Sequence, residues 1–444
     1  MKGPPNQSLI YEKNLRRCVM ARIAFPYEGF EGLEIPDENL IAVLAPKTAY
    51  LAPGGDLEEA RRALENPIAS PRLRDMTKKG DSSLIIIDDN TRNTPTAKLL
   101  PLLLEELKAG GVAMEDAAIL IALGTHRAMN DYEVEFKEGP DLLKKIRVFQ
   151  HDVKDEEGLV NLGTTDHGTE VWVNRMLMDF DHVIALGHIT PHRVAGFSGG
   201  AKMVQPGVSG VVTTGQTHWI SALYDGEEIM GTNDNPVRRE MNAVAKKAGL
   251  SFIMNVVLDR EERIYRCVCG DPEKAHAEGC EAAREIFGAP YSERADIVIT
   301  DTYPADSELW QAAKGIYAGD LPLKKGGVIV TVTPCPEGIA QGHPGLRDIG
   351  YMPFNEAKAL VDQGKIEDLT LAAHIVHVGR IICDKGRGIM VCPGIGREAS
   401  EKLGFTFADT PREAVELAFS MAGPDARVLV LKNGGDLLPV YVPE

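Results

Sequence analysis

The chain has 444 residues, of which 44% are hydrophobic, so it can bury a sizeable core and is long enough for two domains. Its 65 acidic residues outnumber its 48 lysines and arginines, which gives a formal net charge of −17. This balance opposes binding to nucleic acid or to an anionic membrane surface, because both attract an excess of cations. No apolar run reaches the roughly 18 residues of a transmembrane helix. We therefore expect a cytoplasmic protein in which an anionic ligand would need a local basic pocket.

Residues 1–19 and the cysteines show no sign of secretion. The N-terminal segment carries basic residues, but no apolar run of signal-peptide length follows them. A strand-like segment opens at Met20, so residues 1–19 are interpreted as an upstream extension, with a mis-assigned start as the alternative. Seven cysteines are an odd number and too few for a disulfide framework, which is typical of reduced cytosolic thiols. Cys267 and Cys269 lie in an alternating pattern, which favours a strand face over a metal site.

The first part of the chain alternates short apolar runs with amphipathic stretches. The stretches predict helices, and the runs predict buried strands. The clearest helices are residues 95–109, 131–144 and 236–248. The strands are residues 84–89, 117–124, 145–150, 182–187 and 251–258. Strand–helix alternation of this kind is typical of a mostly parallel sheet covered by helices on both faces.

A second series of the same kind begins after a predicted helix at residues 272–288. Its predicted strands are residues 295–300, 326–334, 374–379 and 426–431. We therefore expect two α/β domains with mostly parallel sheets, the N-terminal one at residues 20–290 and the C-terminal one at residues 291–444. Because no repeats or long linkers separate them, the domains should pack closely. The cleft between them is the expected ligand site.

Polar and glycine-rich segments follow three of the predicted strands. They are DDNTRNTP at residues 88–95, GTHR at 124–127 and GHITPHRVAGFSGGAKMVQPG at 187–207. In open parallel sheets, ligands bind outside the carboxyl ends of the strands, where loops lead into helices. Thr94 and Pro95 are also expected to begin a helix, as its N-cap and first residue. A helix cap does not account for Arg92, whose guanidinium suits a carboxylate or a phosphate.

Two histidines occupy comparable positions at strand ends. His126 lies in GTHR and His192 in ITPH. A single histidine is more often structural than catalytic, but two at neighbouring strand ends can face each other across a substrate. Inverting one carbon in both directions calls for an acid/base group on each face, with a pKa near neutral. His374 and His377 lie in a predicted apolar strand and are interpreted as structural.

The segment GFSGGAK, which ends at Lys202, resembles a phosphate-cradling loop. Gly199 and Gly200 would let backbone N–H groups approach an anion, and a helix starting near Ala201 would add its dipole. The spacing is not that of a Walker A loop, since Ala201 precedes Lys202 and Met203 follows it, so a nucleoside triphosphatase is disfavoured. A lysine at this position can act as a charge or as a nucleophile.

Three further side chains are weak evidence for a functional site when each is taken alone. His218 falls sixteen residues after Lys202, and no HExxH motif or Cys/His cluster accompanies it, so a conventional zinc site is poorly supported. Gln311 and Lys314 have the spacing that puts both on one helical face. For that pair alone, a solvated helix surface is the simplest interpretation.

Taken together, these residues resemble the lactate racemase family that uses a nickel-pincer nucleotide. The resemblance covers most of the chain from about residue 20 and depends on five motifs in order: DDNTR, GTHR, PH…GFSGGAK, the spaced His218 and QxxK. It implies a pyridinium-derived mononucleotide that carries nickel and is covalently attached to Lys202. It also implies that His218 is the metal ligand and that His126 and His192 are acid/base groups on opposite faces of the substrate.

The resemblance implies binding roles for the remaining motif residues. Those expected at the cofactor are Asp89, Thr91, Gly199 and Gly200, beside Lys202 and His218. Those expected at the substrate are Arg92, Trp310, Gln311 and Lys314. The large ring of Trp310 could reshape the substrate pocket, so lactate and larger 2-hydroxy acids are both candidates. The implied partners are a small 2-hydroxy acid and the proteins that synthesise the cofactor, and a homo-oligomer is a further expectation.

The implied reaction is racemisation or epimerisation of a 2-hydroxy acid by reversible hydride transfer. The α C–H of such an acid is very weakly acidic, whereas removing hydride while a histidine takes the hydroxyl proton gives a planar 2-keto acid. Three alternatives stay open. They are a sugar-acid C2 epimerase with the same cofactor, a non-catalytic nucleotide or hydroxy-acid binding protein, and a zinc hydrolase built on His126, His192 and His218.

Overall fold

Two six-stranded sheets form the framework of residues 20–48 and 54–443, the parts of the chain that the computed structural model describes. Helices pack on these sheets, which confirms the predicted α/β class with mostly parallel strands. The predicted extension of residues 1–19 lies outside the described residues. None of the described helices is long and apolar enough to cross a membrane.

The N-terminal sheet is built from the apolar runs of the first half of the chain. In spatial order its strands are Ile264–Gly270, Leu250–Leu258, His182–His188, Ser83–Asp88, Ala117–Ala122 and Arg147–Gln150. All neighbours are parallel except the first pair, which is antiparallel. Leu84 and Ile85 point to opposite faces, and both are fully buried because helices cover the two faces. Cys267 and Cys269 lie buried on the edge strand, so the predicted strand face is confirmed.

Helices connect the strands of this unit. The α-helices are Asp56–Glu65, Leu73–Met76, Thr96–Gly110, Asp131–Glu138, Pro140–Leu143, Val211–Ala222, Gly226–Ile229, Pro236–Lys247 and Lys274–Phe287. Short 3-10 turns lie at Met114–Asp116, Arg175–Met178 and Gly200–Met203. The prediction that Thr94 caps the second long helix is wrong, because Pro95 occupies the cap position and the Thr94 hydroxyl donates to the Asp88 carboxylate instead.

The C-terminal sheet is parallel throughout. Its strands, in spatial order, are Thr406–Phe407, Arg387–Val391, Leu323–Val332, Ala295–Asp301, Val428–Leu431 and Leu40–Leu44. Its α-helices are Leu309–Asp320, Gly345–Ile349, Phe354–Asp362, Leu369–Gly379, Gly396–Lys402 and Pro411–Ala422, and a π-helical turn follows at Arg380–Lys385. The predicted strand at residues 374–379 is therefore wrong, since it is the second half of a buried helix.

Four two-stranded pairs complete the described elements. They are Met20–Ile23 with Leu33–Pro36, Leu159–Thr164 with Glu170–Asn174, Pro191–His192 with Gly196–Phe197, and Gly288–Tyr291 with Leu438–Tyr441.

The division near residue 290 stays a prediction, but the start of the chain does not follow it. Strand Leu40–Leu44 pairs with Val428–Leu431 in the C-terminal sheet, and the preceding hairpin packs on that sheet through Leu33 and Ile35. This segment of the predicted N-terminal domain therefore buries its apolar side chains against the other unit. A continuous core also crosses between the units, so they pack closely as expected.

Candidate functional site

The carboxyl ends of the central N-terminal strands open into a cavity between the two units. Its volume is about 140 Å³. The strands His182–His188, Ser83–Asp88 and Ala117–Ala122 are neighbours in the sheet, so the segments that follow them meet here. Every predicted site residue except Gly200 lines the cavity. These residues are Asp89, Thr91, Arg92, His126, His192, Gly199, Lys202, His218, Trp310, Gln311 and Lys314.

His126 is oriented by a carboxylate on one side and an amide on the other. Its Nδ1 donates to Asp89 Oδ2 at 2.6 Å, and its Nε2 accepts from Gln311 Nε2 at 3.1 Å. Burial by itself would raise the pKa of Asp89, but the adjoining His126 and Arg92 hold that pKa below its usual range. Asp89 is thus an ionised carboxylate that fixes the His126 tautomer and can stabilise its imidazolium form.

The loop that carries Asp89 and Arg92 is anchored by a buried lysine. Nζ of Lys137 donates to the backbone carbonyl of Asp89 at 3.0 Å and to that of Arg92 at 2.7 Å. The same ammonium pairs with Asp88 at 2.7 Å. Thr91 tightens the loop further, because its hydroxyl donates to Asp89 Oδ1 at 2.6 Å. Lys137 therefore fixes the backbone that carries Asp89 and Arg92 on the cavity wall.

His192 lies in a short hairpin on the other side of the cavity. Its Nδ1 accepts the backbone N–H groups of Val194 at 3.1 Å and Ala195 at 3.3 Å. Burial and the nearby Lys202 and Arg92 place the pKa of His192 well below its ordinary value. The imidazole is therefore neutral around pH 7.

Lys202 is held in the cavity by a rigid loop. Buried Arg238 donates to the carbonyl oxygens of Ala195, Phe197 and Gly199, and His276 Nε2 donates to that of Ser198 at 2.8 Å. Burial first, and then the charges of Arg92 and Lys314, lower the pKa of Lys202 well below its ordinary value. A lowered pKa favours the unprotonated amine, which is the nucleophilic form of a lysine.

The two glycines of this loop allow close packing rather than the binding of an anion. A Cβ at Gly199 would lie 2.8 Å from Asn255 Oδ1, and one at Gly200 would lie 2.7 Å from the His276 ring. The N–H of Gly200 donates to Asn255 Oδ1 at 2.7 Å, so it is not directed at a ligand. Gly200 therefore does not form part of the expected phosphate cradle, and in place of the helix expected near Ala201 there is one 3-10 turn, Gly200–Met203.

His218 presents one free ring nitrogen to the cavity. Its Nδ1 donates to the carbonyl oxygen of Thr214 at 2.8 Å, one turn earlier in the helix Val211–Ala222. This bond leaves the Nε2 lone pair available to a metal ion. Burial lowers the pKa of His218 to about 4, so the ring is neutral near pH 7. Among the described residues, no three His, Cys, Asp or Glu side chains form a group that could hold a metal ion.

The helix Leu309–Asp320 supplies the second wall of the cavity. Trp310 is sandwiched between the rings of His343 and His374, whose centroids lie 4.1 Å and 3.9 Å from its own. Gln311 and Lys314 lie on one helical face, as their spacing predicts, and both line the cavity. Burial and the charge of Arg92 lower the pKa of Lys314 to about 7. The acidic chain thus places Arg92 beside two basic side chains of lowered pKa, Lys202 and Lys314, in a cavity suited to an anionic ligand.

Known proteins resemble this chain over nearly its whole length. Residues 28–231 match the lactate racemase N-terminal domain, and residues 291–438 match the lactate racemase C-terminal domain. The lactate racemase of Thermoanaerobacterium thermosaccharolyticum is 33% identical over 427 residues, which cover 94% of this chain and 98% of the relative. This chain belongs to the lactate racemase family.

Other relatives agree with this membership. The lactate racemase of Lactiplantibacillus plantarum is 30% identical over 438 residues, which cover 94% of this chain and 99% of that protein. The solved lactate racemase apoprotein of T. thermosaccharolyticum superposes with a TM-score of 0.84 at 32% identity, covering 95% of this chain and all of the other. A Thermotoga maritima protein of 24% identity shares the fold, with a TM-score of 0.71, covering 89% of this chain and 100% of that protein. As a member of the family, the chain is an isomerase.

The cavity of this chain also contains residues that the sequence analysis missed. They include His188, Arg193, Thr214, Tyr317, Thr370, His374 and His377. Each ring nitrogen of His374 forms a hydrogen bond with a tyrosine hydroxyl. Nδ1 bonds Tyr317 and Nε2 bonds Tyr351, both at 3.1 Å. The interpretation of His374 as structural is consistent with these bonds, but its ring also forms part of the cavity wall. His188 is the last residue of the strand His182–His188, and its place at the carboxyl end of a strand was the available signal.

Proposed function

We propose that this protein interconverts the stereoisomers of a small 2-hydroxy acid by reversible hydride transfer. The observation that carries the proposal is that Lys202, His218 and the His126–Asp89 pair all line one cavity. Arg92 and Lys314 supply positive charge to the same cavity for the substrate carboxylate.

The residues present fit a nickel-pincer nucleotide. Lys202 offers a buried amine of lowered pKa for a covalent attachment, and His218 offers a free Nε2 lone pair for nickel. The chemistry that such a group supplies when bound is reversible hydride acceptance. A zinc hydrolase needs about three protein ligands, and the described residues contain no such group.

The protein's own residues would handle the proton and the substrate. Nε2 of His126 takes the hydroxyl proton as the carbonyl forms, and Asp89 stabilises the resulting imidazolium. Arg92, Gln311 and Lys314 orient the acid from the two walls. Burial in the cavity between the units would limit the escape of the keto acid before it is reduced again.

Two unsatisfied hydroxyls favour a polyhydroxy acid as a second candidate substrate. Among the described residues, Thr214 Oγ1 and Thr370 Oγ1 are buried without a hydrogen-bond partner, and both residues line the cavity. A buried hydroxyl without a partner costs about 1–3 kcal/mol, which a hydroxylated ligand would recover. C2 epimerisation of a sugar acid with no turnover of lactate would support this candidate.

Peptide mass spectrometry on protein from its native host tests the cofactor. We expect a nickel- and sulfur-containing adduct on the peptide of Lys202 and none in Lys202→Ala. Lys314→Ala, which removes another cavity lysine, serves as the control and should keep the adduct. Unmodified Lys202 in cells shown to make the cofactor would contradict the covalent attachment and favour a binding protein.

A further inference from the structure

His343 lies where the two units meet beside the cavity. It is buried in the C-terminal unit, and its Nε2 forms a hydrogen bond with the hydroxyl of Thr125 in the N-terminal unit at 3.2 Å. Asp368 fixes the ring from the other side, because its carboxylate accepts the Nδ1 proton at 3.0 Å. With that proton on Nδ1, the neutral ring accepts the Thr125 hydroxyl proton at Nε2. One imidazole thereby ties Thr125 to the residue that caps a C-terminal helix.

The same imidazole holds Trp310 in the cavity wall. The two rings are stacked, with centroids 4.1 Å apart and planes 13° apart. His374 covers the other face of the indole at 3.9 Å, so the indole cannot turn without losing both contacts. The backbone N–H of Trp310 also donates to the carbonyl oxygen of Ile339 at 2.9 Å, in the loop that leads to His343. His343 therefore connects the GTHR loop to the helix Leu309–Asp320, which forms the second wall of the cavity.

His343 borders the main cavity without lining it. A smaller cavity of about 60 Å³ adjoins the main one, and the wall residues that the two share include Thr125 and Trp310. His343 lines this smaller cavity together with the exposed residues Arg127 and Gln341. Its effect on a ligand in the main cavity would therefore pass through Thr125 and Trp310.

We propose that His343 is a positioning residue that fastens the two walls of the substrate cavity together. This inference rests on the proposed racemase function of that cavity, in which the substrate carboxylate meets Arg92 from one unit and Lys314 from the other. A ligand that contacts both walls binds only those molecules in which the walls meet, so its apparent affinity follows their fraction. Loss of the His343 contacts lowers that fraction, whereas the chemistry in molecules whose walls meet is unchanged. His343 therefore affects KM more than kcat.

Hydrogen exchange of the full-length protein, prepared without cofactor, tests the fastening independently of activity. Thr125→Val removes the hydroxyl, keeps the size of the side chain and leaves the aromatic stack in place. We expect faster exchange than in the parent chain at residues 123–128 and 338–345, because both segments lose a contact with the other unit. His182→Ala removes a histidine that is paired with Asp81 outside the cavity, so this control should leave both segments unchanged. Unchanged exchange in Thr125→Val would overturn the proposal.

Kinetics of the cofactor-loaded variants with lactate test the positioning. Thr125→Val loses one hydrogen bond between the units, so KM should rise about fivefold while kcat stays within about twofold. His343→Ala loses the stack as well and should raise KM further, by about tenfold to fiftyfold. His343→Gln keeps an amide oxygen that can accept the Thr125 hydroxyl and should recover part of the loss. A lower kcat at unchanged KM, or equal effects of His343→Ala and His343→Gln, would overturn the positioning role.

The two experiments separate this inference from the proposed function. A loaded parent enzyme that turns over no hydroxy acid would refute the proposed function. The exchange result alone would then decide whether His343 fastens the walls, with faster exchange in Thr125→Val supporting it and unchanged exchange overturning it.

Discussion

The bond between Asp89 and His126 predicts that the carboxylate charge matters more than its shape. Asp89→Asn keeps the size of the side chain but removes the charge that stabilises the His126 imidazolium. We expect turnover to fall by about 10²- to 10⁴-fold. Asp81→Asn is the matched control, because Asp81 accepts from His182 Nε2 at 2.9 Å outside the cavity. Steady-state kinetics of both variants, loaded equally with cofactor, check this, and equal activities would remove Asp89 from the mechanism.

A buried glutamate predicts a pH dependence of stability. Both carboxylate oxygens of Glu138 are buried without a partner among the described residues, and burial raises the pKa of Glu138 to about 7. A raised pKa means that the folded state binds the proton more tightly than the unfolded state. The stabilisation is therefore complete below about pH 4 and is lost as the pH rises through about 7.

The variant Glu138→Gln removes this dependence. Above about pH 8 it should be more stable than the parent chain, by on the order of 3 kcal/mol at most, while at about pH 4 the two should be similar. Exposed Glu135 on the same helix provides the control variant Glu135→Gln, which should change little. Denaturant unfolding at both pH values measures the difference. A stability gain of Glu138→Gln that is equal at both pH values would contradict the titration.

At the scale of elements, one carboxylate both begins a helix and holds a ring beside the cavity. Asp368 accepts the N–H groups of Thr370 at 2.9 Å and Leu371 at 3.0 Å, and its other oxygen accepts from His343 Nδ1 at 3.0 Å. Asp368→Ala should cost about 1–2 kcal/mol in unfolding free energy, because the helix loses its cap. Asp368→Ser keeps a capping hydroxyl and should recover most of that cost. Equal losses in the two variants would show that the bond to His343, not the cap, carries the stability.

This same helix shows where sequence patterns stop being informative. Residues 370–379 are all buried, so the helix has no polar face and its apolar run is indistinguishable from a strand by periodicity. Asp368 as an N-cap was the remaining signal. The N-terminal site residues were predictable because they follow apolar strands, and parallel strands end at one edge. Tyr317 follows no such rule, because it lies on the helix Leu309–Asp320, and only the packing of the two units brings it to the cavity.

At the scale of the whole molecule, the first residues that the structure describes pack with the C-terminal unit. The pairing of Leu40–Leu44 with Val428–Leu431 joins segments nearly 400 residues apart, which no local pattern reveals. Ile35 and Ile85 are both fully buried, but they lie in separate apolar clusters on the C-terminal and N-terminal sheets. The two residues therefore form a matched pair for testing which unit each segment stabilises.

Truncating each isoleucine to alanine should weaken a different sheet. Ile35→Ala should cost about 2–4 kcal/mol and lower hydrogen-exchange protection mainly in Val428–Leu431, because the cavity it leaves lies under that sheet. Ile85→Ala removes the same atoms and should lower protection mainly in Ser83–Asp88. Hydrogen exchange followed by mass spectrometry reads both strands in one experiment. If Ile35→Ala lowered hydrogen-exchange protection in the N-terminal sheet as much as in the C-terminal sheet, the two units would unfold together. Residues 20–44 would then not stabilise the C-terminal unit selectively.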